Sequence, residues 1–243
     1  MMGYRRFASR RGVNGSSWAC RRRAGLGRCS LRKFVKPKST PPSSGRSGPR
    51  AAGRETSFCQ HGAEELPVEF RRLTRTELSR VGEIDRTEQI NALYEQRGTE
   101  LVERRGNWSA SAWDPDGHGK HSVEAQVHAL QYHVDKGGIA LGAFASGRLV
   151  GVGVVVPHLR PGIAQLAWLH VTAPWRATGI GSRLSEHLEQ IARIAGDSDM
   201  VVSATPSDNA VRFYLGRGFQ PMADPLAELF ELEPEDVHMC KTL

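Results

Sequence analysis

Apolar positions recur with two different periods along the second part of the chain. Val68 and Phe70 alternate with Glu69 and Arg71, which is the period of a β-strand. From Gly179 to Ala195 the apolar residues recur every three to four positions instead, which is the period of an amphipathic α-helix. The mixture of the two periods predicts a domain built from both strands and helices.

The same criteria predict an order of elements. In chain order they are strand Val68–Leu73, a helix capped by Thr74 or Thr76, helix Ser122–Val134, strands Ile139–Ala145, Leu149–Val156 and Ile163–Val171, helix Gly179–Ala195, strand Met200–Ala204, helix Asp208–Arg217, and paired strands Phe230–Leu232 and Val237–Leu243. The pattern is weaker between Asp85 and Val134. The expected fold class is α+β, with a mixed, largely antiparallel central sheet flanked by helices.

Charge divides the chain into two parts. Residues 1–54 contain 15 of the 33 Lys and Arg residues and no Asp or Glu, which leaves 18 basic and 26 acidic residues in 55–243. The first part cannot bury enough apolar surface to offset its ordering entropy, so residues 1–62 are predicted to be a disordered basic extension and linker. We therefore expect the functional site in one domain over residues 63–243.

Four interpretations of the basic extension stay open. It could contact nucleic acid or an anionic membrane, because Arg clusters release counterions from phosphates. It also has the composition of an organellar transit peptide, of upstream sequence translated from an early start codon, or of a plain solvated extension.

Cysteine and hydropathy patterns bear on the compartment. Cys20, Cys29 and Cys59 precede the predicted domain and Cys240 falls inside it, which argues against a disulfide scaffold. No run approaches the 18 apolar residues of a membrane span. We expect a cytoplasmic protein with no membrane partner.

The segment Leu169 to Ser182 passes from a strand through a Pro-containing turn into a glycine-containing helix start. Unpaired N–H groups and the positive end of the helix dipole favour a phosphate or pyrophosphate there. Gly179 and Gly181 let the backbone approach the ligand, and Arg176 offers a charge-assisted contact.

Two rival phosphate motifs fit less well. A P-loop requires Gly-Lys-Ser/Thr, whereas Gly181 is followed by Ser182 and Arg183. A dinucleotide fingerprint requires a third glycine where this chain has Leu184.

Two motifs carry a resemblance to a known family. Arg176-Ala177-Thr178-Gly179-Ile180-Gly181 resembles the Arg/Gln-x-x-Gly-x-Gly/Ala loop of the GNAT acetyltransferases. Ala210 to Phe219 is similar to that family's Asn-x-x-Ala-x-x-Phe-Tyr-x-x-x-Gly-Phe segment from its alanine onward. This chain departs from the pattern at the family's Asn position, which falls on Ser207, with Asn209 two residues later. The resemblance spans Ile139 to Met222 and extends more loosely from Val68.

The resemblance implies that acetyl-coenzyme A (acetyl-CoA) lies where two neighbouring strands part. Main-chain groups near Leu169 and Val171 would pair with the pantetheine arm, and the glycine loop would hold the pyrophosphate. The implied cofactor-binding residues are Leu169, Val171, Arg176, Thr178, Gly179, Gly181, Ser182, Ser207 and Asn209. No metal is implied.

The resemblance also implies that Tyr214 protonates the departing thiolate as a general acid. From the residues alone, Tyr214 is equally a core aromatic beside Val211 and Leu215. The acceptor ammonium must lose a proton before it attacks, so a base or a water relay is required. The candidate bases are Asp85, Glu88, Glu124 and His170, and a structural histidine is the alternative for the last.

The acidic excess of residues 55–243 favours a cationic acceptor. Asp85, Glu88, Trp108 and Asp114 are the predicted acceptor wall, with a solvated helix face and a buried tryptophan as the alternative. The segments Ile84–Glu88 and Val202–Ser207 also resemble a GNAT subgroup of aminoglycoside 2'-N-acetyltransferases of the kasugamycin-modifying type.

The expected function is acetyl transfer from acetyl-CoA to an amine of a small cationic acceptor, with an aminoglycoside as one candidate. The alternatives are a peptide or protein amine as acceptor, a nucleic-acid-binding protein that acts through its basic tail, and a coenzyme A sensor without catalysis. A homodimer is left open.

Overall fold

The structure is a computed structural model that describes residues 67–243. Its strands are β1 (Val68–Arg72), β2 (Glu88–Arg97), β3 (Glu100–Ala110), β4 (Ile139–Ala145), β5 (Arg148–Arg160), β6 (Ile163–Val171), β7 (Asp199–Ala204), β8 (Gln220–Pro221) and β9 (Val237–Thr242). Its helices are α1 (Val123–Asp135), α2 (Ile180–Ala195), α3 (Asp208–Gly216) and α4 (Ala227–Leu232), with 3₁₀ helices at Arg75–Glu83 and Ala173–Trp175. The extension predicted over residues 1–62 lies outside the described residues.

Seven strands form the central sheet in the order β1-β4-β5-β6-β7-β9-β8. Every neighbouring pair is antiparallel except β6 and β7, which are parallel. A parallel pair requires a crossover connection, and α2 provides it between these two strands. The α+β class with a mixed, largely antiparallel sheet is therefore confirmed.

Helix α2 lies unusually close to the sheet because β5 carries glycines beneath it. A Cβ added at Gly151 would lie 3.0 Å from Ile180 and Leu184, and one added at Gly153 would lie 2.7 Å from Leu188. These three helix residues are almost fully buried, and they belong to the larger core cluster together with residues of α3, β7 and β9. The close contact fixes the position of the first turn of α2 relative to β6.

The opposite face of the sheet is covered by the first 3₁₀ helix and by α1. Leu78, Val81 and Leu130 pack there in a second core cluster. The main-chain N–H of Thr74 donates to the Glu77 carboxylate at 2.9 Å, which satisfies a donor at the start of the 3₁₀ helix. The helix predicted after the first strand thus exists, with 3₁₀ geometry.

Strands β2 and β3 form a separate two-stranded hairpin that the sequence analysis did not predict. The Gln96 side chain connects it to the central sheet. Its amide NH₂ donates to the main-chain oxygens of Met222 at 2.8 Å and His238 at 3.1 Å, and its oxygen accepts from the His238 N–H at 2.7 Å. The Tyr94 N–H donates to the Pro206 oxygen at 2.8 Å, so the hairpin lies against the segment between β7 and α3.

One predicted strand is wrong. Residues Phe230–Leu232 were expected to pair with the last strand, but they belong to α4, and β9 pairs with β7 and the two-residue β8 instead. The segment is too short for its apolar residues to show a period, and its Leu229 packs beside Leu226 in a small third core cluster.

Candidate active site

The candidate cofactor cleft begins where β6 and β7 part. The two strands pair only from Ile163 to Gln165 on β6 and from Asp199 to Val201 on β7. Beyond Gln165, strand β6 continues for six residues without a partner in β7. A register shift against β5 leaves Ala167 as an extra residue of β6, because Val154 pairs with Trp168 and Val155 with Leu166. Such a bulge bends a strand, which accounts for the divergence.

Leu169 and Val171, predicted to pair with the pantetheine arm, lie on this diverging part of β6. On their other side they pair with Gly153 and Gly151 of β5. Their main chain therefore borders the cleft, which is the geometry that the prediction requires.

The start of α2 stands at the carboxyl end of β6. Gly179 is the N-cap and has φ 88°, and Ala177 has φ 62°, so the chain turns sharply into the helix. The first helical hydrogen bond runs from the Arg183 N–H to the Gly179 oxygen at 3.0 Å. The N–H groups of the preceding residues thus point out of the helix end, where the dipole is positive. A Cβ built at Gly179 would meet no atom within 4 Å, so the space in front of the loop is open to a ligand.

Other members of the predicted loop have intramolecular roles. The Arg176 guanidinium donates to the main-chain oxygens of Val171 at 3.1 Å and Thr87 at 2.7 Å. The Thr178 hydroxyl donates to the Trp175 oxygen at 2.7 Å. Arg176 therefore connects the loop to the segment before β2. The sequence analysis predicted instead a charge-assisted contact between Arg176 and the phosphate. Ser182 lies in the first turn of α2.

The start of α3 lies on the other side of the cleft. The Ser207 hydroxyl caps the helix by accepting from the Ala210 N–H at 3.3 Å. The Asn209 amide donates to the Glu88 carboxylate at 2.8 Å, and the Ser207 hydroxyl lies 3.4 Å from the same oxygen. Two residues predicted to bind the cofactor thus meet one predicted to bind the acceptor.

The four residues of the predicted acceptor wall lie on strands β2 and β3 and on the segments beside them. Asp85 lies before β2 and accepts from the Thr87 N–H at 2.9 Å, which lowers the pKa of its carboxyl. Glu88 is the first residue of β2, so the alternative of a helix face is wrong for it.

Trp108 lies on β3, and Asp114 lies in the segment that follows it. Trp108 has 40% of its surface exposed. Its ring covers Gly106, two residues before it on β3, whereas Glu88 pairs with Ala110, two residues after it. The Asp114 carboxylate accepts from the Gly117 N–H at 2.9 Å within its own loop.

Tyr214 is buried in the core on the sheet-facing side of α3, between the rings of Phe213 and Phe219. Burial raises the pKa of its hydroxyl, and the negative charge of Asp236 raises it further. A tyrosine in this environment keeps its proton at neutral pH and is thus suited to donate it. The geometry is compatible with the general-acid role and with the core role.

A cavity of about 610 Å³ lies between the β2–β3 hairpin and the segment from α4 to β9. Its lining includes Tyr94, Glu95, Phe230, Glu235 and Asp236. Burial raises the pKa of the Asp236 carboxyl to about 7, with smaller contributions from the charges of Glu233 and Glu235. Sequence reasoning missed this residue. The acidic run before the last strand was visible, but which of its carboxylates is buried was not.

The comparisons with known proteins agree with this geometry. The family model described as the acetyltransferase (GNAT) family matches residues 105–219, from β3 through α3. The chain thus carries the sequence pattern of the GNAT acetyltransferase family over this segment. It is an acetyl-CoA-dependent N-acetyltransferase of the GNAT type, as the two sequence motifs predicted.

Solved GNAT structures share the fold. A nourseothricin acetyltransferase is 16% identical, with 72% of this chain and 98% of that chain covered and a TM-score of 0.53. A protein of Bacillus anthracis str. Ames, assigned as a streptothricin acetyltransferase and solved with acetyl-coenzyme A, is 18% identical, with coverages of 72% and 96% and a TM-score of 0.53. No curated protein sequence matches this GNAT chain.

Two further candidate bases of this acetyltransferase are less suited to proton abstraction. Burial lowers the pKa of His170 to about 4, and the charges of Arg86 and Arg176 act in the same direction, so the ring binds a proton weakly. Glu124, an exposed residue of α1, pairs with the His118 ring of the preceding segment at 2.8 Å. These environments leave the base to be sought elsewhere.

Two negative findings concern residues 67–243 only. Within that range, no cluster of three or more His, Cys, Asp or Glu residues is arranged to hold a metal ion. Of the helices in the described part of the chain, none has the length and apolar content needed to cross a membrane.

Proposed function

We propose that this GNAT enzyme acetylates an amine of a small cationic acceptor, with Tyr214 as the general acid. The observation that carries the proposal is the acidic and aromatic cavity beside the electrostatic partner of Tyr214. The acceptor would occupy this cavity, and acetyl-CoA would enter along the parted strands β6 and β7.

The cleft between β6 and β7 carries groups that fit acetyl-CoA, a thioester with a long polar arm and a pyrophosphate. The unpaired edge of β6 near Leu169 and Val171 offers main-chain groups to the pantetheine amides. The open helix start at Gly179 and Gly181 offers N–H groups and a positive dipole to the pyrophosphate. Arg176 supports the loop through its contacts with main-chain oxygens rather than through its charge.

The acceptor end is negative. Glu235 and Asp236 line the cavity, whereas Glu95 is already paired with Arg104. Tyr94 and Phe230 add aromatic faces that favour a cation. A cavity of about 610 Å³ matches a small-molecule site, which favours a small amine over a protein surface.

At the reacting centre, the amine nitrogen attacks the thioester carbonyl carbon and the C–S bond breaks. Tyr214 donates its hydroxyl proton to the leaving sulfur, a contribution typically worth about 10² to 10⁴ in rate. The raised pKa of Tyr214 keeps this proton in place until the sulfur takes it.

The amines to be tested as acceptors represent each of the acceptor classes considered for this enzyme. This panel contains aminoglycosides, because of the subgroup resemblance in two sequence segments, and streptothricin-type antibiotics, which the names of the two structural relatives mention. At 16% and 18% identity these relatives show a shared fold, so they select panel members only. Polyamines and short peptides complete it, and added nucleic acid tests the basic tail.

The first experiment is acetyl-CoA binding to the full chain by calorimetry, with Gly179→Glu and Gly137→Glu as matched variants. Both glycines have φ 88° and open space at the Cβ position, so both substitutions carry the same backbone strain. Only position 179 faces the helix start of α2. We expect micromolar binding that Gly179→Glu abolishes and Gly137→Glu retains.

Thiol release with the amine panel then identifies the acceptor. Turnover with a small cationic amine supports the proposal. Turnover confined to peptides, or no turnover by a protein that binds acetyl-CoA, contradicts it.

A further inference from the structure

Asp236 lies directly before β9, the strand that pairs with β7, which borders the cleft. The first residue of β9, Val237, pairs with Ala204 at the carboxyl end of β7. Val237, Ala204 and Tyr214 share one core cluster. The carboxylate therefore reaches the cavity from a strand end that packs in the same core cluster as Tyr214.

The Asp236 carboxylate is partly buried and has no ion-pair partner among residues 67–243. Its main-chain N–H donates to the Glu233 oxygen at 3.2 Å, which fixes the backbone but leaves the side chain unengaged. Glu189 shows the usual arrangement for a buried carboxylate here, since Lys241 lies 2.8 Å and Arg217 3.5 Å from it. A buried carboxylate without a cation is costly, so it is expected where a ligand supplies the cation.

The groups packed around Asp236 add no positive charge to it. Glu233 and Glu235 flank it on its own segment, and Tyr214 faces it from α3. On the hairpin side Arg104 pairs with Glu95. The His238 ring is occupied, with Nδ1 at 3.2 Å from the Ser203 hydroxyl and Nε2 at 3.0 Å from the Glu233 oxygen. The local field thus favours a cation in the cavity.

We propose that Asp236 is the catalytic base of this enzyme and takes the proton of the acceptor ammonium in the cavity. This inference rests on the proposed function, because it requires an amine acceptor at that site. It assigns the base to a residue that neither of the two family motifs contains.

The proton transfers balance as follows. The Asp236 carboxylate takes one proton from R–NH₃⁺, which leaves a neutral amine with a free electron pair. That pair forms the C–N bond at the thioester carbon, and the C–S bond electrons leave with sulfur. Tyr214 gives its proton to the sulfur and regains one from the positively charged nitrogen of the new amide. Asp236 releases its proton to solvent, so one proton is produced for each acetyl group transferred.

The neighbouring carboxylates are less suited to this step. Glu235 lines the same cavity but is exposed, so water competes for it and its charge is screened. Glu88 is bound to Asn209 on the other side of the α3 start. Asp236 alone among these three combines burial, an unpaired carboxylate and proximity to Tyr214.

The test compares Asp236→Asn with Glu235→Gln in the full chain, using the acceptor found in the thiol-release panel. For the parent protein, kcat/KM for the amine should rise with pH through about 7, as the carboxylate loses its proton. Asp236→Asn should remove this limb and lower kcat by about 10² to 10⁴. Glu235→Gln should keep the limb but move it to lower pH, because the charge of Glu235 adds to the raised pKa of Asp236. Acetyl-CoA binding by calorimetry should be the same in all three proteins, which also verifies that they are folded.

Each outcome is decisive. A limb near pH 7 that persists in Asp236→Asn, or a loss of kcat of less than about threefold, overturns the assignment while the proposed function stands. Equal losses in the two variants also overturn it, because they indicate a shared charge effect. Absence of amine turnover by the parent protein overturns both proposals.

Discussion

Replacement of Asp236 by Asn should change how the stability of this enzyme depends on pH, independently of any acceptor. In the folded protein the pKa of Asp236 is raised to about 7 from an ordinary value of 3.8, chiefly by burial. Between these two values the folded protein holds a proton that the unfolded chain has released. The folded state therefore binds more protons, and its stability falls as pH rises through this window.

The size of the effect follows from the shift. From pH 5 to pH 7 the loss amounts to at most about 2.7 kcal/mol, at about 1.36 kcal/mol per pKa unit. Solvent reaches part of the side chain and screens its charge, so we expect about 1.5 kcal/mol. The amide of Asp236→Asn does not titrate, so the variant should gain this amount over the parent protein between pH 5 and pH 8.

Urea unfolding of parent and variant at pH 5 and pH 8 measures this difference. All other titrating groups are common to both proteins and cancel in the comparison. Glu235→Gln, at an exposed neighbouring position, should show a smaller change, because its charge contributes less than burial to the raised pKa of Asp236. If the free energy difference between parent and Asp236→Asn were the same at both pH values, the carboxylate would not be desolvated. Asp236 would then lack the desolvated environment that its role as a base requires.

Three other substitutions test separate parts of the site. Tyr214→Phe should lower kcat by about 10² to 10⁴ with unchanged acetyl-CoA binding, whereas Tyr132→Phe on the exposed face of α1 should leave steady-state kinetics unaltered. Gln96→Ala should cost about 2 to 3 kcal/mol of unfolding free energy, because four main-chain groups lose a hydrogen bond to its amide. Gln190→Ala, at an exposed position, should stay within about 0.5 kcal/mol. Arg176→Gln should cost about 2 kcal/mol and weaken acetyl-CoA binding in calorimetry, because the loop loses its attachment to the segment before β2. A variant at 176 with parent stability and affinity would contradict that structural role.

The central elements could be predicted because their determinants are local in sequence. Helix α2 has an apolar stripe at helical spacing, and its observed bounds, Ile180–Ala195, differ by one residue from the predicted ones. The Ser207 cap of α3 and the strands on either side of Gly147 likewise depend on neighbouring residues. The family could be recognised for the same reason, since each of its two motifs is continuous in sequence.

The β2–β3 hairpin could not be predicted because its residues carry little apolar periodicity. Most of β3 is exposed, including Glu103, Arg104 and Arg105, so no buried face marks it as a strand. Its position depends on Gln96 and Tyr94, which bond to main-chain groups more than a hundred residues away. A pattern search over neighbouring residues does not detect such contacts.

The sequence alone determined the class of fold, the candidate phosphate site at the helix start of Gly179 and the candidate acid Tyr214, because each follows from a short run of residues. Only the tertiary structure decided that Arg176 bonds to the main-chain oxygens of Val171 and Thr87, that Glu88 bonds to Asn209, and that Asp236 is partly buried without a cation. Burial and charge environment are sums over residues distant in the chain. They set the pKa of a carboxylate, and they exist only once the strands, the hairpin and the last helix have packed together.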